Sequence, residues 1–151
     1  MRIPVRLAVL LIVVAAACGG GASADAKKAA DVVAGSPEAM ADPATLTPES
    51  ITPQEVALGD SIFHGLIPPT SCQACHGPDA KGTSVAPNLT DSTWLHSDGS
   101  FPAIYKQIAT GVPQPKVALG VMPPFGGSPL SPERHRAVAA YVYSLSHKAG
   151  K

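Results

Sequence analysis

Two cysteines and a histidine stand close together near the middle of the chain, in the run Cys72-Gln73-Ala74-Cys75-His76. Two thiols three residues apart on one helical turn can each add to a vinyl group of haem, and the adjoining imidazole can then bind the iron. A zinc site would need a second Cys/His pair, and a thioredoxin-like redox pair would need a βαβ unit. A structural disulfide across so short a loop would leave His76 without a role. The motif therefore predicts one covalently attached haem c.

Three segments around this motif carry the signals of helices, and long proline-rich loops join them. A capping box with proline at the first helical position opens the first helix at residues 52–55, and Gly65 ends it. Ser100 can cap a second helix that ends at Gly111, and Ser131 can cap a third. No segment alternates with period two, so we expect an all-α fold. Three modest helices with few aromatics make a thin core, which indicates that a cofactor fills its centre.

Residues 1–24 are typical of an export signal, because two arginines precede an uninterrupted apolar run at residues 7–17. Two cleavage sites compete. Residues 15–19 resemble a bacterial lipobox, with cleavage before Cys18 and lipidation of that cysteine, whereas residues 22–24 are a plain A-x-A site that would discard it. Both predict a mature protein outside the cytoplasm, periplasmic or membrane-anchored, and we favour the lipid anchor.

Composition separates a linker from a folded domain. Residues 19–52 are rich in Ala, Gly, Ser, Asp and Pro, which predicts a flexible tether with an r.m.s. span of about 30–35 Å. Residues 53–151 are the predicted domain. Over the whole chain, eleven Lys and Arg balance eleven Asp and Glu, so nothing in the charge suggests that the protein binds nucleic acid.

The predicted domain resembles the small monohaem class I cytochromes c of the bacterial exported type. The run GDSIF at residues 59–63 is similar to the family's first helix, and AAYV at residues 139–142 to the part of the last helix that it meets. The resemblance implies a cytochrome c-like fold, with about three main helices and long Pro-rich loops wrapped around one covalent haem. The run APNL at residues 86–89 resembles the segment whose proline carbonyl, here that of Pro87, receives the ring N–H of His76.

Met122 is the predicted distal ligand of the iron. It stands in VMPPFG at residues 121–126, which resembles the family's axial-methionine loop, and the two prolines stiffen that loop. His96, in a polar loop, is the rival ligand. Trp94 is predicted either to pack in the core or to donate its indole N–H to a haem propionate. We expect the remaining histidines of the domain to be solvated or to cap helices: His64, His135 and His147.

These assignments predict an electron carrier and not an enzyme. With protein ligands on both faces of the haem, the iron has no open site for a substrate, and Met ligation in an apolar pocket raises its potential. Single electrons would pass to and from redox protein partners through an exposed haem edge, and the Pro-rich loop at residues 113–129 is the candidate partner surface. Two alternatives stay open: a peroxidase-like haem enzyme or gas sensor with a labile Met122, and a cytochrome subunit fixed to a respiratory complex or dehydrogenase.

Overall fold

A computed structural model of the protein describes Asp42 and residues 46–147. The predicted export signal, Cys18 and most of the predicted tether lie outside these residues. Four α-helices follow one another along the described chain: α1 Pro53–Phe63, α2 Gln73–His76, α3 Phe101–Thr110 and α4 Pro132–Ser146. Two short 3-10 helices accompany them, at Pro48–Ser50 and Pro124–Gly127.

The prediction of an all-α fold is confirmed. The described residues contain no strand, and Val112 and Met122 form an isolated antiparallel bridge. The three predicted helices are α1, α3 and α4, while α2 is the single turn that carries the haem motif. In this part of the chain, no helix has both the length and the apolar character needed to cross a bilayer.

Local capping explains where the three longer helices begin. Thr52 and Glu55 form a capping box at the start of α1: the Glu55 N–H donates to the Thr52 hydroxyl at 3.2 Å, and the Thr52 N–H donates to the Glu55 carboxylate at 2.9 Å. The hydroxyls of Ser100 and Ser131 accept from the backbone N–H of the third residue of α3 and of α4. Each cap depends on residues close in sequence, so each helix start is predictable.

Helices α1 and α4 cross at Gly59. A Cβ atom there would collide with the backbone carbonyl of Ala137, so glycine lets the two backbones approach this closely. Beside the crossing, the rings of Phe63 and Tyr141 pack with their centroids 5.3 Å apart. The crossing holds the first and last helices together, and Phe63 reaches from it to the wall of an apolar cavity.

The chain packs against the domain before α1 begins. Leu46 is buried, and the guanidinium of Arg136 in α4 donates to the backbone carbonyl of Ser50 at 3.2 Å and to its hydroxyl at 2.8 Å. Arg136 also pairs with Glu55 at 2.6 Å. Folded structure therefore extends to Leu46, inside the segment predicted as tether.

The prediction of a solvated or capping role is wrong for His135. Its side chain is 1% exposed, its ring stacks on that of Tyr105 with centroids 3.6 Å apart, and its Nε2 lies 2.8 Å from the Tyr105 carbonyl oxygen. The reason is its position on α4: it stands three residues before the buried Val138 and shares the helix face that packs on α3. His64 and His147 occupy the C-cap positions of α1 and α4, as predicted.

Candidate haem site

Cys72 is the N-cap residue of α2, and Cys75 lies within the turn. The N–H groups of Cys75 and His76 both donate to the Cys72 carbonyl, at 3.1 and 3.0 Å, which closes the turn. Cys72 is half-buried and Cys75 is exposed. Burial raises the pKa of the Cys72 thiol to about 11. Both side chains line one cavity, the placement that two thioether bonds to a single haem require.

His76 ends α2 with its side chain buried and its Nδ1 atom 3.0 Å from the carbonyl oxygen of Pro87. Because a carbonyl can only accept, Nδ1 must carry the proton, and Nε2 keeps its lone pair for a metal ion. Burial lowers the pKa of His76, and the bond to Pro87 opposes this shift without cancelling it. The structure thus puts Pro87 at hydrogen-bonding distance from His76, while its effect on a bound haem stays a prediction.

A tight turn brings Pro87 to His76. The Gly82 N–H donates to the His76 carbonyl at 2.9 Å. Gly82 has a φ of 84°, and a Cβ there would lie 2.8 Å from the carbonyl carbon of Pro87. Both the left-handed backbone and the close approach of Pro87 therefore require glycine. Thr83 was not predicted as a site residue, yet its hydroxyl donates to the Cys75 carbonyl at 2.7 Å. The signal that could have found it is a short hydroxyl side chain next to a turn glycine shortly after the motif.

Met122 lines the same cavity from the segment that follows α3. Its backbone N–H and carbonyl pair with Val112 at 3.0 and 2.7 Å, which ties this segment to the end of α3. Gly111 permits the approach, because a Cβ there would collide with the Met122 carbonyl. The fold therefore brings Met122 and His76 to one cavity from two distant parts of the sequence.

The cavity between these residues is apolar and partly open to solvent, with a free volume of ≈ 140 Å³. Apolar side chains from the three longer helices line it: Phe63, Ile104, Ile108, Val138 and Val142. Two thiols, an imidazole and a thioether stand along its wall. The residues present therefore fit a covalently attached haem.

Trp94 and His96 lie between α2 and α3, and both line the cavity. The half-buried indole of Trp94 packs over Gly99, where a Cβ would collide with the ring. The predicted propionate contact of Trp94 stays a prediction. Nε2 of His96 accepts from the Lys116 N–H at 3.3 Å, and the Lys116 ammonium donates to the Leu95 carbonyl at 2.6 Å. The Nε2 atom of His96, the rival ligand, is therefore already used in a hydrogen bond between two loops.

Four exposed apolar side chains stand beside the cavity and are called the mouth patch: Val85, Val117, Leu119 and Val121. Val85 and Val121 also line the cavity. The N–H groups of Leu119 and Gly120 donate to the carbonyls of Ser84 and Val85, at 3.1 and 3.2 Å, so two loops are joined here. The predicted partner loop at residues 113–129 supplies three of the four side chains. Val85 was not part of the predicted partner surface, because it lies on the loop that pairs with residues 113–129.

Comparison with known proteins places the domain in a family. Residues 54–142 match the family described as cytochrome C oxidase, cbb3-type, subunit III. The chain belongs to this family. It is similar to the cbb3-type cytochrome c oxidase subunits CcoP of Rubrivivax gelatinosus, 39% identical over 94 residues, and FixP of Rhizobium meliloti (strain 1021), 40% identical over 94 residues. These matches cover 62% and 60% of this chain but only 27% and 30% of the relatives, so the chain spans less than a third of their length.

A solved structure, that of cytochrome CL from the marine methylotroph Methylophaga aminisulfidivorans MPT, is similar over 62% of this chain and 55% of its own, with 20% identity and a TM-score of 0.47.

Family membership confirms the resemblance to class I cytochromes c and the cofactor predicted from the motif. The domain binds one covalently attached haem c and acts in electron transfer.

Proposed function

We propose that this protein transfers electrons as a cytochrome component fixed to a respiratory oxidase of the cbb3 type, and not as a freely diffusing carrier. The observation that carries the proposal is its membership of the cbb3 subunit III family, since both relatives named above are oxidase subunits. Of the two kinds of electron-transfer protein predicted from the sequence, the fixed subunit is therefore better supported than the shuttle.

Each site residue has a separate task in this proposal. The sulfurs of Cys72 and Cys75 would hold the haem through two thioether bonds. Nε2 of His76 and the sulfur of Met122 would bind the iron. When bound, the haem supplies a one-electron Fe(III)/Fe(II) couple, and the thioether ligand and the apolar cavity favour its reduced form. The Pro87 carbonyl holds the His76 ring in one orientation and increases the basicity of its Nε2.

We propose no bond chemistry for the site. Two protein ligands leave the iron without a position for peroxide or another substrate, which argues against the peroxidase-like and gas-sensing alternatives. Such an enzyme would also need an acid–base group near the distal side, and His96 is the candidate. Because its Nε2 accepts from the Lys116 backbone N–H, His96 is engaged in joining two loops.

The mouth patch is the proposed docking surface for the redox partner. Two of its members line the cavity, so an electron would cross a short protein path there. From residue 53 onward the sequence has seven Lys and Arg against six Asp and Glu, which gives little net charge to steer association. Apolar contact with a matching face of the oxidase complex would then provide most of the affinity, as at the core of other interfaces.

Export and membrane attachment complete the proposal. Residues 1–24 would direct the chain out of the cytoplasm, Cys18 would carry the lipid, and the part of residues 19–52 that precedes Leu46 would tether the cytochrome domain close to a membrane complex. One acyl chain gives only marginal anchoring, so stable attachment needs the several chains of a bacterial lipoprotein. This arrangement would keep the domain within reach of one complex.

Co-purification tests the proposal. The full chain, with a C-terminal tag, is expressed in a bacterium that makes a cbb3-type oxidase, and its membranes are solubilised and captured on the tag. We expect the haem c protein to bring oxidase subunits with it at high salt, and Cys18→Ser to appear in the soluble fraction. Recovery of a soluble holoprotein that begins at Asp25 and brings no oxidase with it would contradict both the anchor and the fixed-subunit role.

A further inference from the structure

We infer that His135 is a positioning residue for the loop that presents Met122. This loop comprises residues 122–127 and is called the methionine loop below. The inference rests on the proposed function, in which the sulfur of Met122 is the distal ligand of the iron. His135 does not line the cavity, so it acts through Phe125, which does.

Two contacts fix the His135 ring on the side of α3. The ring stacks on that of Tyr105, with centroids 3.6 Å and planes 20° apart, and its Nε2 lies 2.8 Å from the Tyr105 carbonyl oxygen. Since a carbonyl only accepts, Nε2 carries the proton and the ring has one preferred orientation. Burying an imidazole costs hydration free energy that an apolar side chain would not lose. Burial alone therefore does not explain a histidine at this position.

Phe125 also contacts the His135 ring. The two rings are 5.1 Å apart between centroids and 87° apart between planes, the edge-to-face arrangement that aromatic pairs favour. Phe125 has a φ of 54° and a ψ of 22°, a left-handed conformation that is rare for a bulky side chain. Such a conformation persists where the surroundings hold it, and His135 provides that support.

Met122 is thereby held from both directions along the chain. Its backbone pairs with Val112, which ties it to the end of α3. Three residues later, the His135 ring holds Phe125 against α4. The two prolines between Met122 and Phe125 have restricted φ angles, so they absorb little of any displacement. A loosened Phe125 should therefore loosen the Met122 sulfur on the iron.

Two apolar replacements separate the geometry of the ring from its burial. His135→Leu and His135→Phe both lose the bond to the Tyr105 carbonyl, but only phenylalanine keeps an aromatic ring against Phe125. His147→Leu is the matched control, because His147 stacks on Tyr143 at 4.0 Å at the other end of α4 and is exposed. Three properties of each holoprotein are measured: the charge-transfer absorption of the methionine–Fe(III) bond, the reduction potential, and the rate of carbon monoxide binding to the reduced iron.

We expect His135→Leu to weaken the charge-transfer absorption, to lower the potential and to bind carbon monoxide roughly fivefold faster or more, the factor expected when one contact of ordinary strength no longer holds the loop closed. His135→Phe should restore all three toward wild type, although its melting temperature falls as that of His135→Leu does. His147→Leu should leave all three unchanged. Equal changes in the leucine and phenylalanine variants, or none in the leucine variant, would overturn the inference.

Two further variants complete the test. Phe125→Leu removes the other ring and should reproduce the effects of His135→Leu, so wild-type carbon monoxide binding in Phe125→Leu would also contradict the inference. If the wild type shows the methionine–iron absorption and Met122→Ala loses it, Met122 is the distal ligand. The His135 variants then test only whether His135 positions the methionine loop. A wild type without that absorption would overturn both the assignment and the inference, whereas co-purification with an oxidase tests the proposed function independently.

Discussion

The Nδ1 atom of His76 and the carbonyl oxygen of Pro87 lie 3.0 Å apart, and Gly82 makes this distance attainable. The bond decides which ring nitrogen carries the proton and which is left to bind a metal. It also joins the haem motif to a segment eleven residues further along the chain. A shift of the backbone at Gly82 should therefore weaken the hydrogen bond of His76 although His76 itself is unchanged.

Gly82→Ala should disturb His76 in this indirect way. Its Cβ would lie 2.6 Å from the Asn88 nitrogen and 2.8 Å from the Pro87 carbonyl carbon, so the segment must shift and the bond to His76 is weakened. A less basic imidazole stabilises Fe(III) less, so we expect the reduction potential to rise. The free energy of unfolding should fall by about 1–3 kcal/mol, the usual cost of overpacking. Redox titration and urea unfolding of the holoprotein measure the two effects.

Gly65→Ala is the control for Gly82→Ala. Gly65 also has a positive φ, 72°, but the nearest contacts of a Cβ there would be with the Ser71 side chain, its hydroxyl oxygen at 2.9 Å and its Cβ at 3.0 Å, and not with the segment that carries Pro87. The control should lose stability through the left-handed backbone and this crowding, and should keep the wild-type potential. Equal potentials for wild type and Gly82→Ala would show that Pro87 does not tune His76.

Met122→Ala should change what the iron can do. It removes a soft thioether that favours Fe(II), so the reduction potential should fall, and carbon monoxide and peroxide should gain access to the iron. Met122→His should also lower the potential, but without the new reactivity, because the iron stays six-coordinate. Redox titration and carbon monoxide binding are measured for both variants, with His96→Ala as the control. If His96→Ala alters these properties and Met122→Ala does not, His96 is the distal ligand.

The main helices and the haem motif were predictable because their signals are local. The caps at Thr52, Ser100 and Ser131 each bind a residue within three positions, and the motif is a single turn. The interpretation of Met122 as a ligand also came from its proline neighbours and stays a prediction. The helix starts and the motif have in common that the sequence segment that defines each of them also positions it.

Other parts of the site depend on pairing between distant segments, and these were missed. His135 contacts the rings of Tyr105 and Phe125, and nothing within α4 except its spacing from Val138 distinguishes it from a solvated histidine. Val85 joins the mouth patch through bonds with a loop more than thirty residues away. Local patterns carry no information on such pairings, because they arise when the helices pack.

The ion pair between Glu55 and Arg136 should stabilise the fold in a pH-dependent way. Burial alone would raise the pKa of Glu55, but the Thr52 N–H and the guanidinium of Arg136 together hold it below its ordinary value. Folding thus lowers this pKa, so the stabilisation is complete above the ordinary value and is lost as the pH falls through the folded value. Arg136→Met should therefore lower the free energy of unfolding by about 1–3 kcal/mol near neutral pH.

Urea unfolding of the holoprotein at about pH 7 and about pH 3 tests this. The difference between wild type and Arg136→Met should narrow in acid as Glu55 becomes protonated. Arg134→Met is the control, because Arg134 stands on the same helix and bonds to the Pro68 carbonyl, which does not titrate. A difference for Arg136→Met that stays constant with pH would contradict the assigned role of Glu55.

His64 should stabilise the fold most when it is protonated. Its Nε2 lies 2.9 Å from the Pro78 carbonyl oxygen, and its Nδ1 lies 2.9 Å from the Asp60 carbonyl oxygen and 3.1 Å from the Asp60 carboxylate. The bond to Pro78 raises the pKa of His64, and the contacts with Asp60 add to this against the effect of partial burial. A neutral ring has a single N–H and can donate only one of these bonds.

Because folding raises the pKa of His64, its contribution is complete below the ordinary value and is lost as the pH rises through the folded value. We expect His64→Gln to be less stable than wild type by about 0.5–1 kcal/mol near about pH 5, and by less near about pH 8. His147→Gln, at the exposed C-cap of α4, is the control. Thermal unfolding of both variants and the wild type across this pH range measures the difference. A loss of stability in His64→Gln that grows with pH would contradict the stabilising role of protonated His64.

The mouth patch should control electron exchange without controlling stability. Leu119 is 84% exposed, so Leu119→Asp should change the free energy of unfolding by less than about 0.5 kcal/mol. A carboxylate in an apolar contact must lose its hydration on docking, so electron exchange with the oxidase should slow about tenfold at an unchanged reduction potential. Leu66→Asp is the matched control, since Leu66 is 74% exposed but is outside the patch and does not line the cavity. Stopped-flow kinetics with the purified oxidase measure the rates, and equal slowing by the two variants would place the docking surface elsewhere.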